Sequence, residues 1–278
     1  MIYVGIPAHN EAATLGALLW KVRQVMADYG RDYEVWVVDD GSTDGTGDVL
    51  ARYARYLPLE VLRHESRRGL GAALETLVRG VLERSAYPRR DVLVTVQADF
   101  SEDPGALPGL VKRIEGGADL VVGAVREGRA LPPTLGWARA FARLVARRHG
   151  VPDTVTDPLS GYRAYRLVAP KRALPGGVAL RCRSAAVHLE LLLRAAPAAR
   201  RIDEVPVTLR RDRLQRRGRY RAWPLWLELL RLWWRPPRQE TAVVAVSEAG
   251  PVARDGARAR RSRGARRRRR TGRARPEA

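Results

Sequence analysis

Short apolar runs alternate with amphipathic stretches from the first residue of the chain. Residues 2–8, 33–39, 59–64, 92–98 and 119–124 are rich in Val, Ile and Leu and nearly continuous in apolar character. That is the pattern of strands covered on both faces. Between them, residues 12–29, 44–56, 71–84 and 103–115 carry apolar positions at helical spacing. Asp103 before Pro104 reads as an N-cap and a first helical position. Strand and helix in this cadence predict an α/β fold with a doubly wound, mostly parallel sheet. Functional side chains should gather at the carboxyl ends of its strands.

After residue 125 the rhythm loosens. Residues 137–148 and 184–195 predict helices, 157–166 a loop entering a short strand, and 201–209 a strand with Pro206 near an edge. Segment 220–235 is rich in Trp and Leu and stops at Pro236-Pro237. As a helix it gathers Glu228, Arg231 and Arg235 on one polar stripe, with apolar residues almost everywhere else. A bilayer needs roughly 20 apolar residues, so this segment cannot span one. It could lie in the membrane interface, where Trp is favoured, or dock on the domain as core. From residue 238 onward, and most clearly beyond Gly250, there is no periodicity, and Arg, Ala, Gly and Pro predict a disordered tail. The expected organisation is a single domain over 1–219, in halves 1–125 and 126–219, then an amphipathic segment 220–237 and a basic tail 238–278.

Composition sharpens this picture. With 278 residues, 45% of them hydrophobic, a sizeable core can form. A lone cysteine, Cys182, excludes a disulfide framework or a multi-cysteine zinc site. Lys and Arg outnumber acids 51 to 30, yet from residue 254 onward twelve arginines face only Asp255 and Glu277. Nearly half of the +21 charge therefore lies in the tail. The tail implies an anionic partner, a membrane surface rather than nucleic acid, because it lacks the interleaved aromatics of a base-stacking platform. The opening MIYVGIPAHNE turns polar too early for a signal peptide, and no run is long enough to span a bilayer. The expected location is the cytoplasm, peripheral to the inner face of the membrane.

Three predicted strand ends carry acids: IPAHNE, VVDDGSTDGT and QADFSEDP. Carboxylates at neighbouring ends of a parallel sheet converge on one crevice, where they can bind ribose, base edges or a divalent cation between phosphates. Taken singly, Asp39, Ser42 and Asp103 could equally be caps of turns and helices. Neither GxGxxG after the first strand nor GxxxxGK[ST] occurs, which disfavours dinucleotide oxidoreductases and P-loop ATPases; Gly69-Leu70-Gly71 alone is a weak signal.

IPAHNE, VVDDGSTDGT, RGLGAAL, QADFSEDP, DPLSGYRAY and IDEVPVTLR follow one another in an order and spacing that resembles the family 2 glycosyltransferases, from Ile2 to about Arg219. Within them the chain looks most like the dolichol- or polyprenyl-phosphate mannose synthases. The resemblance implies a GT-A fold and inverting transfer of a hexose from a nucleoside-diphosphate sugar to polyprenyl phosphate. It also implies Mg²⁺ or Mn²⁺ as cofactor and allows an integral-membrane partner. By the same resemblance Pro7, His9, Glu11, Val38 and Asp40 line the nucleoside pocket, with His9 where the family usually has Tyr. Gln97, Ala98 and Asp99 match the diphosphate and metal motif, with Ser101 as a further ligand. Gln97 replaces an acid, and an amide is a weaker ligand for a hard cation. Three readings follow: an enzyme with looser metal binding, one that substitutes arginines for metal, or an inactive relative. A lipid phosphate is ionised at neutral pH and needs no base to become a nucleophile. Transfer then requires alignment and charge neutralisation, for which Arg126, Arg163 and Arg211 are the candidates. Ser160, Gly161, Arg163, Arg213 and Arg219 are the acceptor candidates, with Gly218-Arg219-Tyr220-Arg221 standing where the subgroup has Gly-x-Ser-Lys. Asp157 reads slightly better as structural than as an acceptor residue, and His188 and Glu190 read as scaffold. Other outcomes are a saccharide or small-molecule acceptor, or a nucleotide-sugar fold that is inactive and binds anions through its tail.

Overall fold

The computed structural model describes residues 1–125, 133–176, 178–208 and 222–237. In chain order the elements are β1 (Ile2–Ala8), α1 (Ala12–Tyr29), β2 (Tyr33–Asp39), α2 (Thr46–Tyr53), β3 (Leu59–Arg63) and α3 (Leu70–Arg84). Next come β4 (Val92–Thr95), a 3-10 turn (Pro104–Ala106) leading into α4 (Leu107–Glu115), β5 (Leu120–Val125) and α5 (Pro133–Arg148). β6 (Arg163–Arg166), α6 (Val168–Ala173), α7 (Ala186–Ala195), β7 (Ile202–Val207) and α8 (Ala222–Trp234) complete the described chain.

The strands form one seven-stranded sheet in the order β3-β2-β1-β4-β6-β5-β7. All neighbours are parallel except β6, which runs against both β4 and β5. The chain builds outward from β1 to β3, then crosses back to β4 on the other side of β1. That reversal opens a crevice beyond the carboxyl ends of β1 and β4, the usual ligand position in an open α/β sheet.

Period-two alternation sends successive side chains into two separate layers. Ile2, Val4 and Ile6 pack with α1, α2 and α4 on one face. Tyr3, Trp36 and Leu93 pack with α3, α5, α6, α7 and α8 on the other. Gly5, on the Tyr3 face, leaves room for α3, since a Cβ there would meet Leu77 Cδ2 at 2.6 Å and force that side chain to shift.

β1, β2 and α1 keep the bounds expected from the sequence, and other elements differ in instructive ways. β4 stops at Thr95 rather than residue 98. Beyond it, backbone donors leave the ladder for side chains: Gln97 N donates to Glu102 Oε2 at 3.1 Å and Ser101 N to Asp99 Oδ1 at 3.0 Å. α6 is absent from the sequence pattern; at six residues it is too short to show a helical period. α8 docks by one face, with Leu225, Leu229 and Leu232 buried and Trp226 and Trp233 against Phe141 of α5. The core reading therefore holds for that face, while Trp223 and Trp234 remain exposed. Among the described residues no helix is long and apolar enough to cross a membrane.

Candidate active site

The first wall of the crevice is the turn after β1, laced to the turn after β2. His9 Nδ1 lies 2.8 Å from Asp40 O. Asn10 adopts a left-handed φ of 54°, which costs free energy in a non-glycine residue. Its N–H donates to Ser42 Oγ at 2.9 Å and its Oδ1 accepts from Thr43 N at 2.8 Å, holding that conformation. Glu11 N donates to Thr46 Oγ1 at 2.9 Å, and the Thr14 hydroxyl lies 2.8 Å from Glu11 Oε2 and 2.9 Å from Ala98 O. The ends of β1, β2 and β4 are thus tied to one another. Pro7 and His9 are half-buried, whereas Glu11 is buried.

The paired aspartates of β2 have different partners and different roles. Asp39 Oδ1 accepts from Ser42 N at 2.9 Å, the cap weighed from the sequence, and Oδ2 is 3.5 Å from Arg63 Nε. Asp40 uses Oδ1 for the His64 ring at 2.7 Å and Arg68 N at 2.8 Å, and Oδ2 for Gly69 N at 2.8 Å. Through these bonds the Asp40 carboxylate acts as a positioning group that holds residues 64–69 against β2. Gly41, at φ 63°, lets that segment pass, since a Cβ would meet Arg67 N at 2.5 Å. The outcome is an exposed cationic lip of Arg63, Arg67 and Arg68 beside the carboxylates. The RGLGAAL motif begins at Arg68, yet nothing in the sequence alone distinguishes these three arginines from the many others. Val38 is wholly buried in the core, so its side chain supports the pocket floor and cannot touch a ligand.

The second wall is the turn after β4. Gln97 and Asp99 are half-buried, Ala98 and Ser101 are buried, and Phe100 has a left-handed φ of 57°. Asp103 caps the 3-10 turn through Gly105 N at 3.0 Å, as its Asp-Pro pair predicted. Glu102, missed from the sequence, is 4% exposed. Burial pushes its carboxyl up to about 8, with the charges on Asp99 and Asp157 acting in the same direction. Among the described residues no three His, Cys, Asp or Glu side chains cluster as a metal site. The candidate donor set is one carboxylate, Asp99, with the Gln97 amide and the Ser101 hydroxyl. Such a set fits Mg²⁺ or Mn²⁺ only as an ion held chiefly by substrate phosphates.

The acceptor candidates require a correction. Arg163 is 0% exposed, and its guanidinium donates to three carbonyls: Ser160 O at 2.8 Å, His188 O at 2.6 Å and Pro158 O at 2.6 Å. It is an internal strut under the DPLSGYR loop and cannot touch a substrate. Ser160 is likewise occupied: its hydroxyl donates to Gly123 O at 2.6 Å and accepts from Tyr162 N at 3.2 Å. Gly161 allows close packing, because a Cβ would meet His188 Nε2 at 2.9 Å and Gln97 Nε2 at 3.2 Å. Asp157 is buried and paired with Arg139, in keeping with its structural reading. Glu204 of β7 anchors the same loop, accepting from the Thr156 hydroxyl at 2.8 Å, which explains the acid in IDEVPVTLR. Glu190 and His188 are scaffold: Glu190 pairs with Arg194 at 3.0 Å, while burial and the charge on Arg163 push His188 down to about 3. Arg126, Arg211, Arg213, Arg219 and the 238–278 tail lie outside the described residues.

Residues 3–171 match the family described as Glycosyl transferase family 2. The chain belongs to this family. It is a glycosyltransferase of GT-A fold, as the comparisons with named enzymes and solved structures also show. An undecaprenyl-phosphate mannosyltransferase of Micrococcus luteus is 34% identical over 207 residues, covering 73% of this glycosyltransferase and 81% of that protein. A dolichol-phosphate mannosyltransferase of Pyrococcus furiosus is 28% identical over 212 residues, covering 74% of this chain but 56% of that one. An undecaprenyl-phosphate 4-deoxy-4-formamido-L-arabinose transferase of Pseudomonas paraeruginosa is 30% identical over 148 residues, 53% of this chain and 42% of that one. The chain therefore spans about half the length of the latter two. Among solved structures, glucosyl-3-phosphoglycerate synthase of Mycobacterium tuberculosis, crystallised with Mn²⁺, uridine-diphosphate-glucose and phosphoglyceric acid, superposes with a TM-score of 0.58. That match is 24% identical and covers 84% of this chain and 77% of that one, a likeness of fold.

Proposed function

We propose that this glycosyltransferase moves a hexose, mannose favoured, from a nucleoside-diphosphate sugar to polyprenyl phosphate, with inversion at the anomeric carbon. It would act at the cytoplasmic face of the membrane, where the acceptor's phosphate is presented. The observation that carries this reading is the crevice: the turn after β4, with Gln97 and Asp99, is tied to the start of α1 through Thr14 and Ala98 O, and the turn after β1 is laced to that of β2, where Asp40 holds the segment bearing the exposed Arg67 and Arg68. A diphosphate with a shared cation satisfies both charges. The 34% identity to an undecaprenyl-phosphate mannosyltransferase favours the lipid acceptor.

Within this reading Pro7, His9 and Glu11 shape the nucleoside pocket, and Asp40 acts by holding the 64–69 segment. Asp99, with Gln97 and Ser101, would hold Mg²⁺ or Mn²⁺, which supplies charge neutralisation to the departing diphosphate. Arg126 and Arg211 share that role, and Arg213 and Arg219 take the acceptor phosphate. An ionised lipid phosphate attacks without a protein base, so the chain's contribution is alignment of the two phosphates and stabilisation of the leaving group. The test is an acceptor panel: polyprenyl phosphate, free saccharides and small phosphorylated acids, each with guanosine and uridine diphosphate sugars. Product on polyprenyl phosphate supports the reading; product only on a water-soluble acceptor overturns it.

A further inference from the structure

α8 presents four distinct surfaces around its circumference. Leu225, Leu229 and Leu232 face the core, Trp226 and Trp233 face Phe141 of α5, and Glu228 accepts from Arg183 N at 2.8 Å and Ser184 N at 3.1 Å. Trp223, Leu227, Leu230 and Trp234 recur at helical spacing on what remains, and all four are exposed. α5 repeats the pattern. Trp137 and Leu144 lie on the same stripe as Phe141, the residue that meets α8, and both are exposed. Trp137, Trp223 and Trp234 are 71%, 73% and 78% exposed. Two packed helices thus present one apolar face carrying three exposed tryptophans, more than scattered surface apolar residues account for.

A groove of about 440 Å³ opens beside Trp234. Arg181, Arg231 and Arg235 line it, and among the described residues none of their guanidinium groups has a carboxylate or hydrogen-bond partner. Glu190 at its base does not neutralise them, because its oxygens accept from Arg181 N at 2.9 Å and Cys182 N at 2.8 Å and pair with Arg194 at 3.0 Å. A cationic cleft against a Trp-edged apolar face fits a phosphate joined to hydrocarbon chains.

We propose that the α5–α8 face docks on an anionic bilayer, with the Arg181–Arg231–Arg235 groove holding a lipid headgroup phosphate. This deepens the membrane-surface part of the functional reading and rests on it. Vesicle binding needs neither donor nor turnover, so the two can fail separately. Apolar insertion and charge act together, as lasting attachment of a peripheral protein requires. Cys182, which lines the groove, packs against the start of α3: a Cβ on Gly71 would stand 2.0 Å from Cys182 O.

The experiment uses the full chain with phosphatidylcholine vesicles, with or without phosphatidylglycerol, whose acyl chains are brominated to quench nearby Trp fluorescence. The expected result is quenching in the wild type that is lost in Trp137→Phe/Trp223→Phe/Trp234→Phe. Equal quenching in that variant overturns the docking face, even if the basic tail still brings protein to vesicles. Each arginine near an anionic leaflet is worth roughly fivefold in affinity. Arg231→Gln/Arg235→Gln should therefore raise the concentration of phosphatidylglycerol-containing vesicles needed for half-maximal quenching about 25-fold. An unchanged requirement overturns the groove assignment. So does a saturable heat of inorganic phosphate binding that the double variant loses while its vesicle quenching stays wild type, since the groove would then serve free phosphate.

Discussion

Arg163 separates a structural from a chemical account of the DPLSGYR loop. Its three donors meet carbonyls at 2.8, 2.6 and 2.6 Å in a site with no solvent access. Hydrogen bonds to a charged group contribute about 1.5–3 kcal/mol each, against the cost of keeping a guanidinium out of water. A Gln amide has two N–H donors on a shorter, uncharged stem and cannot replace all three bonds, so Arg163→Gln should destabilise the fold by about 3–5 kcal/mol. For a domain of this size that lowers Tm by roughly 10–15 °C. Thermal unfolding followed by circular dichroism reads this directly, and turnover measured well below the new Tm separates folding from chemistry. The expected pattern is a large loss of Tm with turnover per folded molecule within a few fold of wild type. An unchanged Tm with turnover abolished would refute the strut and return Arg163 to the reaction.

Two further outcomes follow from the same structure. Gln97→Asp restores a carboxylate beside Asp99 and should lower the Mn²⁺ or Mg²⁺ concentration for half-maximal activity; an unchanged requirement would mean that position 97 is not a ligand, and full wild-type activity in chelator would show that metal is dispensable. Asp119, at the foot of the sheet, is pushed up by burial but more strongly down by the side chain and N–H of Arg200 and by Arg166, from the usual 3.8 to about 2. Its contribution is complete above the unfolded value and lost as pH falls from about 4 toward 2, so Asp119→Asn should cost about 2 kcal/mol in urea unfolding at pH 7 and almost nothing near pH 2; an equal cost at both pH values would refute the ion-pair origin.

The sheet was legible because buried strands and amphipathic helices leave unmistakable periods, and the three acidic strand ends do gather at one crevice. Division of labour inside that crevice was not legible. Asp39 and Asp40 are adjacent, yet one caps a turn while the other holds a segment 24 to 29 residues further on, through His64, Arg68 and Gly69. Arg163 resembled a phosphate ligand because a sequence records its charge and omits the carbonyls around it. Glu102 escaped notice since burial, which determines its protonation, is a tertiary property. α8 had two readings of near-equal weight; the structure supports core docking for one face and leaves Trp223 and Trp234 exposed on the other.

The most direct measurement is transfer of label from a nucleoside-diphosphate sugar into organic-phase lipid, with polyprenyl phosphate and Mn²⁺, by wild type and Asp99→Asn side by side. Asp99 is half-buried at a strand end outside the core, so the variant should keep the wild-type Tm. Loss of one positioned electrostatic group at a reacting diphosphate should lower turnover about 100-fold or more. Labelled glycolipid from the wild type, nearly absent from the folded variant, is the result expected. Equal glycolipid from both, with metal still required, would contradict the placement of the reaction at this crevice.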